Sequence, residues 1–91
     1  MNQILKYRID YGNPIVTMPQ EAKLLCVGLQ GKEIMLWALA ETDNPEEERV
    51  FHILGASSQV ADGLSYVGTV FDPRPEPGFP NGFVWHVWEV K

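Results

Sequence analysis

The chain has 91 residues, 45% of them hydrophobic, and its 12 acidic and seven basic residues leave a net charge of −5. A chain of this length and apolar content forms one folded domain, residues 1–91, without room for separate catalytic and substrate-binding halves. Because the charge is acidic and no Lys or Arg cluster exists, the composition argues against binding to DNA or RNA.

The first half of the chain consists of strand-like segments separated by turns. QILKYRID alternates apolar and charged residues and predicts an edge or one-sided strand, and Pro14 and Pro19 bracket a short strand, IVTM. The apolar runs AKLLCVGLQ and KEIMLWALAE meet at Gln30-Gly31, which predicts a hairpin because glycine readily takes a positive φ. The second run is apolar on both faces, so it is expected to be a central strand covered on both sides or a strand in an oligomer interface.

The second half adds three strands, RVFHILGAS, LSYVGTVF and GFVWHVWEV. Between the first two, SSQVADGL predicts one helical turn that Ser57 or Ser58 caps and Gly63 ends. An acidic loop, 41–49, and a Pro-rich loop, 72–82, interrupt the strands, and the prolines prevent the latter from pairing in a sheet. The predicted fold is all-β with at most one short helical turn: a small antiparallel sandwich or barrel of about six or seven strands.

The only cysteine, Cys26, lies in the apolar run KLLCVGL. Its setting predicts a buried small hydrophobe rather than an activated thiolate. A lone thiol cannot form an internal disulfide, which favours a reducing compartment. No apolar stretch approaches the roughly 18 residues of a membrane-spanning helix or forms a signal-peptide core. We therefore expect a cytoplasmic protein without a membrane partner.

No catalytic or metal-binding pattern is recognisable. Cys26, His52 and His86 fall on separate predicted strands, without a nucleophile elbow or zinc-ligand spacing. The acidic loop lacks the residue order of a calcium-binding loop, so its acids are expected to solvate a turn in which Pro45 begins a short helical turn. We predict no catalytic residue, no cofactor and no metal; a hydrolase would need His52 and His86 in one cleft.

The last strand has two large apolar faces. Alternation along the strand divides its side chains into two sets: Phe83, Trp85 and Val87 on one face, and Val84, His86, Trp88 and Val90 on the other. One face should pack in the core, and something must cover the other. The alternatives are the Pro-rich loop through proline–tryptophan contacts, a second subunit or partner, and a ligand pocket lined by Trp85 or Trp88 with His86 as its polar group.

The order of the segments resembles a known family. KYRID, TMPQEAKLLCVGLQGKEIMLWALAE, EEERVFHILGAS, SYVGTVF and FVWHVWE follow one another as in a family of small uncharacterised proteins encoded largely by bacteriophages and prophages. The shared pattern runs from a K-Y start through M-P, L-W-A-L and Y-[IV]-G-T to a terminal H-V-[FW]-E, over nearly the whole chain. The resemblance implies expression in a host bacterial cytoplasm and implies no reaction. The Pro-rich loop is longer than the usual connection, so no role is carried over to it.

The leading expectation is a non-enzymatic, phage-type accessory protein that binds or masks a host or defence protein, as a homo-oligomer. Two alternatives remain: a protein that sequesters a nucleotide-like signalling ligand, using Trp85, Tyr66 and Arg74 across a subunit boundary, and a structural or virion-associated protein. The candidate interface or ligand residues are Trp37, Tyr66, Arg74, Phe79, Trp85, His86 and Trp88.

Overall fold

In the computed structural model, which describes residues 1–91, the chain forms seven antiparallel strands and no helix. Two separate sheets face each other, which confirms the all-β prediction and selects the sandwich among its alternatives. No helix that could cross a membrane is present. The strands are β1 (Asn2–Ile9), β2 (Ile15–Pro19), β3 (Lys23–Gln30), β4 (Glu33–Glu41), β5 (Glu46–Leu54), β6 (Leu64–Asp72) and β7 (Phe83–Val90).

The first sheet has the order β1-β4-β3, with the predicted two-sided strand at its centre. Its β3–β4 hairpin turns at Gly31, which has a φ of 62°, as the sequence predicts. Alternate residues of β4, including Leu36 and Ala38, are fully buried, whereas Trp37 between them is half-buried on the outer side. The strand is therefore covered on both sides, but tightly on the inner side only.

The second sheet has the order β2-β5-β7-β6, so the aromatic last strand lies inside the sheet and not at its edge. Strand β7 pairs with β5 from Phe51↔Glu89 to Leu54↔His86, and with β6 along its whole length. Alternation then sends Trp85 and Val87 towards the first sheet and His86 and Trp88 away from it.

One hydrophobic core lies between the inner sides of the two sheets. Only 13 of the 91 residues are buried. So small a core gives a chain of this length little stability to spare. The core cluster consists of Ile9, Val16, Met18, Ala22, Leu36, Ala38, Ala40, Phe51, Ile53 and Val87.

A β-bulge in β3 reverses the expected side of Cys26. Leu24 pairs with Ala38 and Cys26 with Trp37, so Leu25 is an extra residue in the ladder. Without the bulge Cys26 would oppose Leu36 and face the core. With it, Cys26 lies beside Trp37 on the outer side and is exposed. The prediction of a buried cysteine is therefore wrong.

A second bulge, in β6, has the same kind of effect on Phe71. Tyr66 pairs with Trp88 and Gly68 with Val87, so Val67 is the extra residue. The shift directs Val70, which is 2% exposed, into the core and leaves Phe71 outside at 69% exposure. A Cβ on Gly68 would lie 2.6 Å from a methyl carbon of Val27, so the missing side chain lets β3 and β6 approach closely.

Two connections differ from the sequence prediction. The acidic segment is mostly strand, because β4 extends to Glu41 and β5 begins at Glu46, so Pro45 begins no helical turn. Pairing of Glu46 and the next two acids with β2 explains the difference, since the ladder overrides their loop-like composition. The predicted helical turn in SSQVADGL is also absent: the N–H of Ser58 donates to the carbonyl of Gly55 in a turn with a left-handed Ser57, φ 67°, and residues 58–61 form no regular structure.

The Pro-rich loop contains more regular structure than predicted. Asp72 still pairs with Phe83 in the sheet, so the loop begins one residue later than expected. Within it, Glu76 and Phe79 exchange two backbone hydrogen bonds of 3.1 and 2.8 Å around Pro77-Gly78, and Gly78 has a φ of 84°. This is a small turn of its own, and it pairs with neither sheet.

Candidate functional site

The structure distributes the seven candidate residues over three places. One lies on the outer side of the first sheet, three on the outer side of the second sheet, and three at one end of the sandwich. These are, respectively, Trp37; Tyr66, His86 and Trp88; and Arg74, Phe79 and Trp85.

The largest exposed group of non-polar and aromatic side chains is on the outer side of the second sheet. We call it the outer aromatic face, and it contains His52, Tyr66, Thr69, Phe71, Val84, His86, Trp88 and Val90. The strand register places Trp88 between His52 and Tyr66, and it places His86 between Leu54 and Thr69. None of these eight residues is Asp, Glu, Lys or Arg; Glu48 lies on the same side of the sheet but beside β2.

A hydrogen-bonded chain crosses the outer aromatic face from β6 to β7. The hydroxyl oxygen of Tyr66 lies 2.5 Å from Thr69 Oγ1, which lies 2.9 Å from His86 Nδ1. The Tyr66 ring meets Trp88 edge to face, with 5.2 Å between their ring centroids. These contacts hold the side chains of the face in a fixed arrangement.

The outer aromatic face is open to solvent. Tyr66 is 56% exposed and Phe71 69% exposed, and Val84 and Val90 are exposed as well. The sequence reasoning missed Phe71, because its orientation depends on the β6 bulge and not on simple alternation. The Pro-rich loop, which the sequence offers as one possible cover, contacts the other side of β7 instead.

That contact is an aromatic ladder at the end of the sandwich. Phe79 of the loop packs on Phe83 at 4.7 Å between centroids, and Phe83 stacks on Trp85 at 5.3 Å with an interplanar angle of 12°. Tyr11 meets the edge of the ladder, 5.5 Å from Trp85. The loop therefore contributes an aromatic cover through Phe79, where the sequence suggested proline–tryptophan packing.

Below this ladder a cleft of about 300 Å³ opens between the two sheets. We call it the end cleft; its lining includes Ile9, Tyr11, Ile34, Ile53 and Trp85. Its volume lies at the lower end of the range for small-molecule sites. Partial burial raises the pKa of the Tyr11 hydroxyl above its ordinary value. Tyr11 was not among the candidates from sequence, because a tyrosine in a turn carries no strand pattern.

The rim of the end cleft carries charges of both signs. Arg8 contacts Glu33 at 3.4 Å and Asp10 at 3.5 Å. Lys32 also lines the cleft and makes no ion pair. The Arg8 contacts are long and exposed, so they contribute little to stability and leave these side chains able to change partners.

Arg74 forms an ion pair with Asp72, which lines the end cleft. Its Nε donates to Asp72 Oδ1 at 2.8 Å, and a second guanidinium nitrogen donates to Oδ2. These hydrogen bonds from Arg74 hold the pKa of Asp72 at about 2. The pair fixes the start of the Pro-rich loop to the end of β6, beside the end cleft.

The proposed ligand set of Trp85, Tyr66 and Arg74 does not meet within one chain. Trp85 faces the interior and Tyr66 faces outwards from the same sheet, so the sheet separates them. Trp37 is isolated from both groups, on the outer side of the first sheet over Gly28, where a Cβ would lie 3.5 Å from its ring.

The two histidines lie on the same outer side of the second sheet, and His52 alone lines a shallow cavity of about 260 Å³ beside Tyr11 and Pro14. His52 opposes Trp88 and His86 opposes Leu54, so the histidines are diagonal neighbours on β5 and β7. His86 Nδ1 and Thr69 Oγ1 share one hydrogen bond of 2.9 Å, and no carboxylate is hydrogen-bonded to either ring. This geometry lacks the oriented base that activates a hydroxyl nucleophile. No group of three or more His, Cys, Asp or Glu side chains is arranged to hold a metal ion.

Comparison with known proteins places the chain in a family. A family model described as Domain of unknown function (DUF7352) matches residues 1–91, so the chain belongs to that family over its whole length. No curated protein and no solved structure matches it.

Proposed function

We propose that this member of a family of unknown function is a non-enzymatic binding protein that masks a partner protein through the outer aromatic face. The observation that carries the proposal is the exposure of Tyr66 and Phe71 in a face without charged side chains. Interface centres are depleted of charge and enriched in Tyr, Trp and Phe. The partner that fits this face presents an apolar, uncharged surface with a few neutral hydrogen-bonding groups.

The biological setting belongs to the same proposal. The segment order resembles that of phage and prophage proteins, which supports a role as a phage accessory protein in the host bacterial cytoplasm. Masking a host or defence protein needs no catalytic group, and it suits a small chain whose largest exposed feature is a binding face. Direct binding to nucleic acid is disfavoured by the net charge of −5.

Affinity capture from a bacterial host, followed by reconstitution, tests the masking function. The wild-type chain should capture a protein that Phe71→Glu loses and that Ile4→Glu retains, because Ile4 is 62% exposed but lies in the first sheet. The captured protein is then purified and titrated by calorimetry. We expect a negative heat-capacity change, which marks apolar burial. Equal binding by both variants would contradict the proposal.

The end cleft supports a second candidate function, the sequestration of a nucleotide-like ligand. Tyr11 and Trp85 provide aromatic surface, and Arg8 and Lys32 provide cations at the rim. Thermal unfolding with cyclic and ADP-ribose-type nucleotides tests it, since a ligand at 100 times its dissociation constant adds about 2.7 kcal/mol of stability. The shift should vanish in Lys32→Ala and persist in Lys23→Ala, a lysine outside the cleft. If no nucleotide shifts the wild-type transition, this second function is wrong.

A further inference from the structure

The chain has more surface than a compact monomer of its mass. Its accessible surface is 6029 Å², whereas a monomer of 10.3 kDa is expected to have about 5,400 Å². The radius of gyration is 14.0 Å against roughly 12 Å expected for this length. The molecule is a slab of 46 × 30 × 20 Å. The excess of roughly 600 Å² is close to what one partner contributes to a small specific interface.

The exposed apolar side chains are concentrated on one side of this slab. Of the 11 large hydrophobic residues that are exposed, five lie on the outer side of the second sheet. They are Ile15, Tyr66, Phe71, Val84 and Val90. The other six are divided among the first sheet, the turns, the Pro-rich loop and the N-terminal residue. The same side carries Thr17 and Glu48 near β2, so its uncharged part is the outer aromatic face on β5, β6 and β7. An open, non-polar area of this kind is unusual in a monomer.

Charge favours a second copy as the occupant of this side. Each copy carries a net charge of −5, so most approaches of two copies are repulsive. The outer aromatic face has no carboxylate, and contact through it therefore keeps the acidic side chains of the two copies apart.

We propose that the outer aromatic face is the two-fold interface of a homodimer. The inference rests on the proposed function, because the face that masks a partner is the face that the second copy covers in the free protein. In a two-fold interface both copies use the same patch, so each side chain makes its contacts at two symmetry-related positions. The second ring nitrogen of His86 has no partner within the chain and supplies a hydrogen bond to the other copy.

The dimer is of modest affinity. An interface that covers an area equal to the surface excess, about 600 Å² on each copy, totals roughly 1,200 Å², at the lower limit of specific interfaces. Such an interface exchanges readily, so a partner protein with a larger or better-packed surface displaces the second copy. The dimer therefore protects the aromatic side chains until the partner binds.

Light scattering coupled to size-exclusion chromatography tests the proposal on the full chain, over a range from about 1 to 200 μM that spans micromolar dissociation constants. The expected mass is twice 10.3 kDa at high concentration, falling towards 10.3 kDa on dilution. Phe71→Glu should raise the dissociation constant roughly 30-fold or more, as loss of a hot-spot side chain does. The matched variant Ile4→Glu should leave it unchanged, and circular dichroism confirms that both variants fold.

Two results would overturn the dimer. The wild-type chain could have a mass of 10.3 kDa at every concentration, or Ile4→Glu could dissociate the dimer while Phe71→Glu leaves it intact. The proposed function fails separately. If the chain is a monomer and its capture of a partner is lost in Phe71→Glu, only the dimer is contradicted. If the chain is a dimer that Phe71→Glu dissociates, but this variant still captures the partner, only the masking function is contradicted.

Discussion

Arg49 on β5 and Glu89 on β7 form a bidentate ion pair on the inner side of the second sheet, at the end of the sandwich opposite the end cleft. Arg49 Nε lies 2.5 Å from Glu89 Oε2, and a second guanidinium nitrogen lies 2.8 Å from Oε1. The third nitrogen donates to the carbonyl of Ala22 at 2.6 Å. The hydrogen bonds that Arg49 donates to the Glu89 carboxylate raise the pKa of Arg49. One side chain thus joins β5, β7 and the β2–β3 connection.

Removing Arg49 should therefore be costly. The Arg49→Met variant leaves Glu89 without its cation and the Ala22 carbonyl without its donor, and we expect a loss of about 2–4 kcal/mol in unfolding free energy. Chemical denaturation measures it. The matched variant Arg8→Met breaks exposed ion pairs and should lose less than about 1 kcal/mol. Equal losses of unfolding free energy in the two variants would show that the Arg49–Glu89 pair stabilises the fold no more than the exposed ion pairs of Arg8.

Gly82 should tolerate no side chain. It has a φ of 79°, and a Cβ there would lie 1.9 Å from the carbonyl oxygen of Asp72. Gly82→Ala must displace the Pro-rich loop, whereas Gly31→Ala, with a φ of 62° and no neighbour, should lose only about 1–2 kcal/mol for its left-handed backbone. Thermal unfolding compares them. A Gly82→Ala variant as stable as Gly31→Ala would contradict the close packing of loop and strand.

Asp72 should make stability sensitive to acid. Its pKa is about 2 in the folded chain and 3.8 ordinarily, so its stabilising effect is complete above about pH 4. The effect is lost as the pH falls from about 4 to 2, because the unfolded chain takes up the proton first. A carbon-13 titration of the carboxyl group should have its midpoint near 2 in the wild type and near 3.8 in Arg74→Gln. A wild-type midpoint near 3.8 would contradict the ion pair.

Cys26 should react with thiol reagents in the folded state. The bulge at Leu25 leaves the cysteine exposed on the outer side of the first sheet. We expect the folded chain to be labelled within a few-fold of the rate in denaturant, and Cys26→Ser to change the unfolding free energy by less than about 0.5 kcal/mol. Labelling that requires unfolding would mean that Cys26 faces the core.

Much of the fold follows from local chemistry that the sequence displays. Gly31 marks the β3–β4 hairpin because the turn needs a positive φ, and Pro14 and Pro19 confine β2 to an edge. The alternation of Trp85 and His86 assigns them to opposite sides of β7. These features depend on period and turn geometry, which act between near neighbours along the chain.

The sequence predicts the candidate site less completely. Tyr66 and Trp88 are identified as candidates, but their contact follows from the pairing of β6 with β7. Phe71 is missed and Cys26 is assigned to the wrong side, in each case because one extra residue in a strand inverts every side chain after it. No local pattern marks Leu25 or Val67 as the extra residue.

The sequence by itself determined the class of the fold, the β3–β4 hairpin turn and the apolar character of both faces of β4 and β7, because propensity and alternation are local properties. Only the tertiary structure decided which aromatic side chains meet and which remain exposed. The reason is physical: the two bulges set the side to which the later residues of β3 and β6 point, and they are seen only in the register of each strand against its neighbour in the sheet. The exposure of Phe71 follows from the bulge in the pairing of β6 with β7.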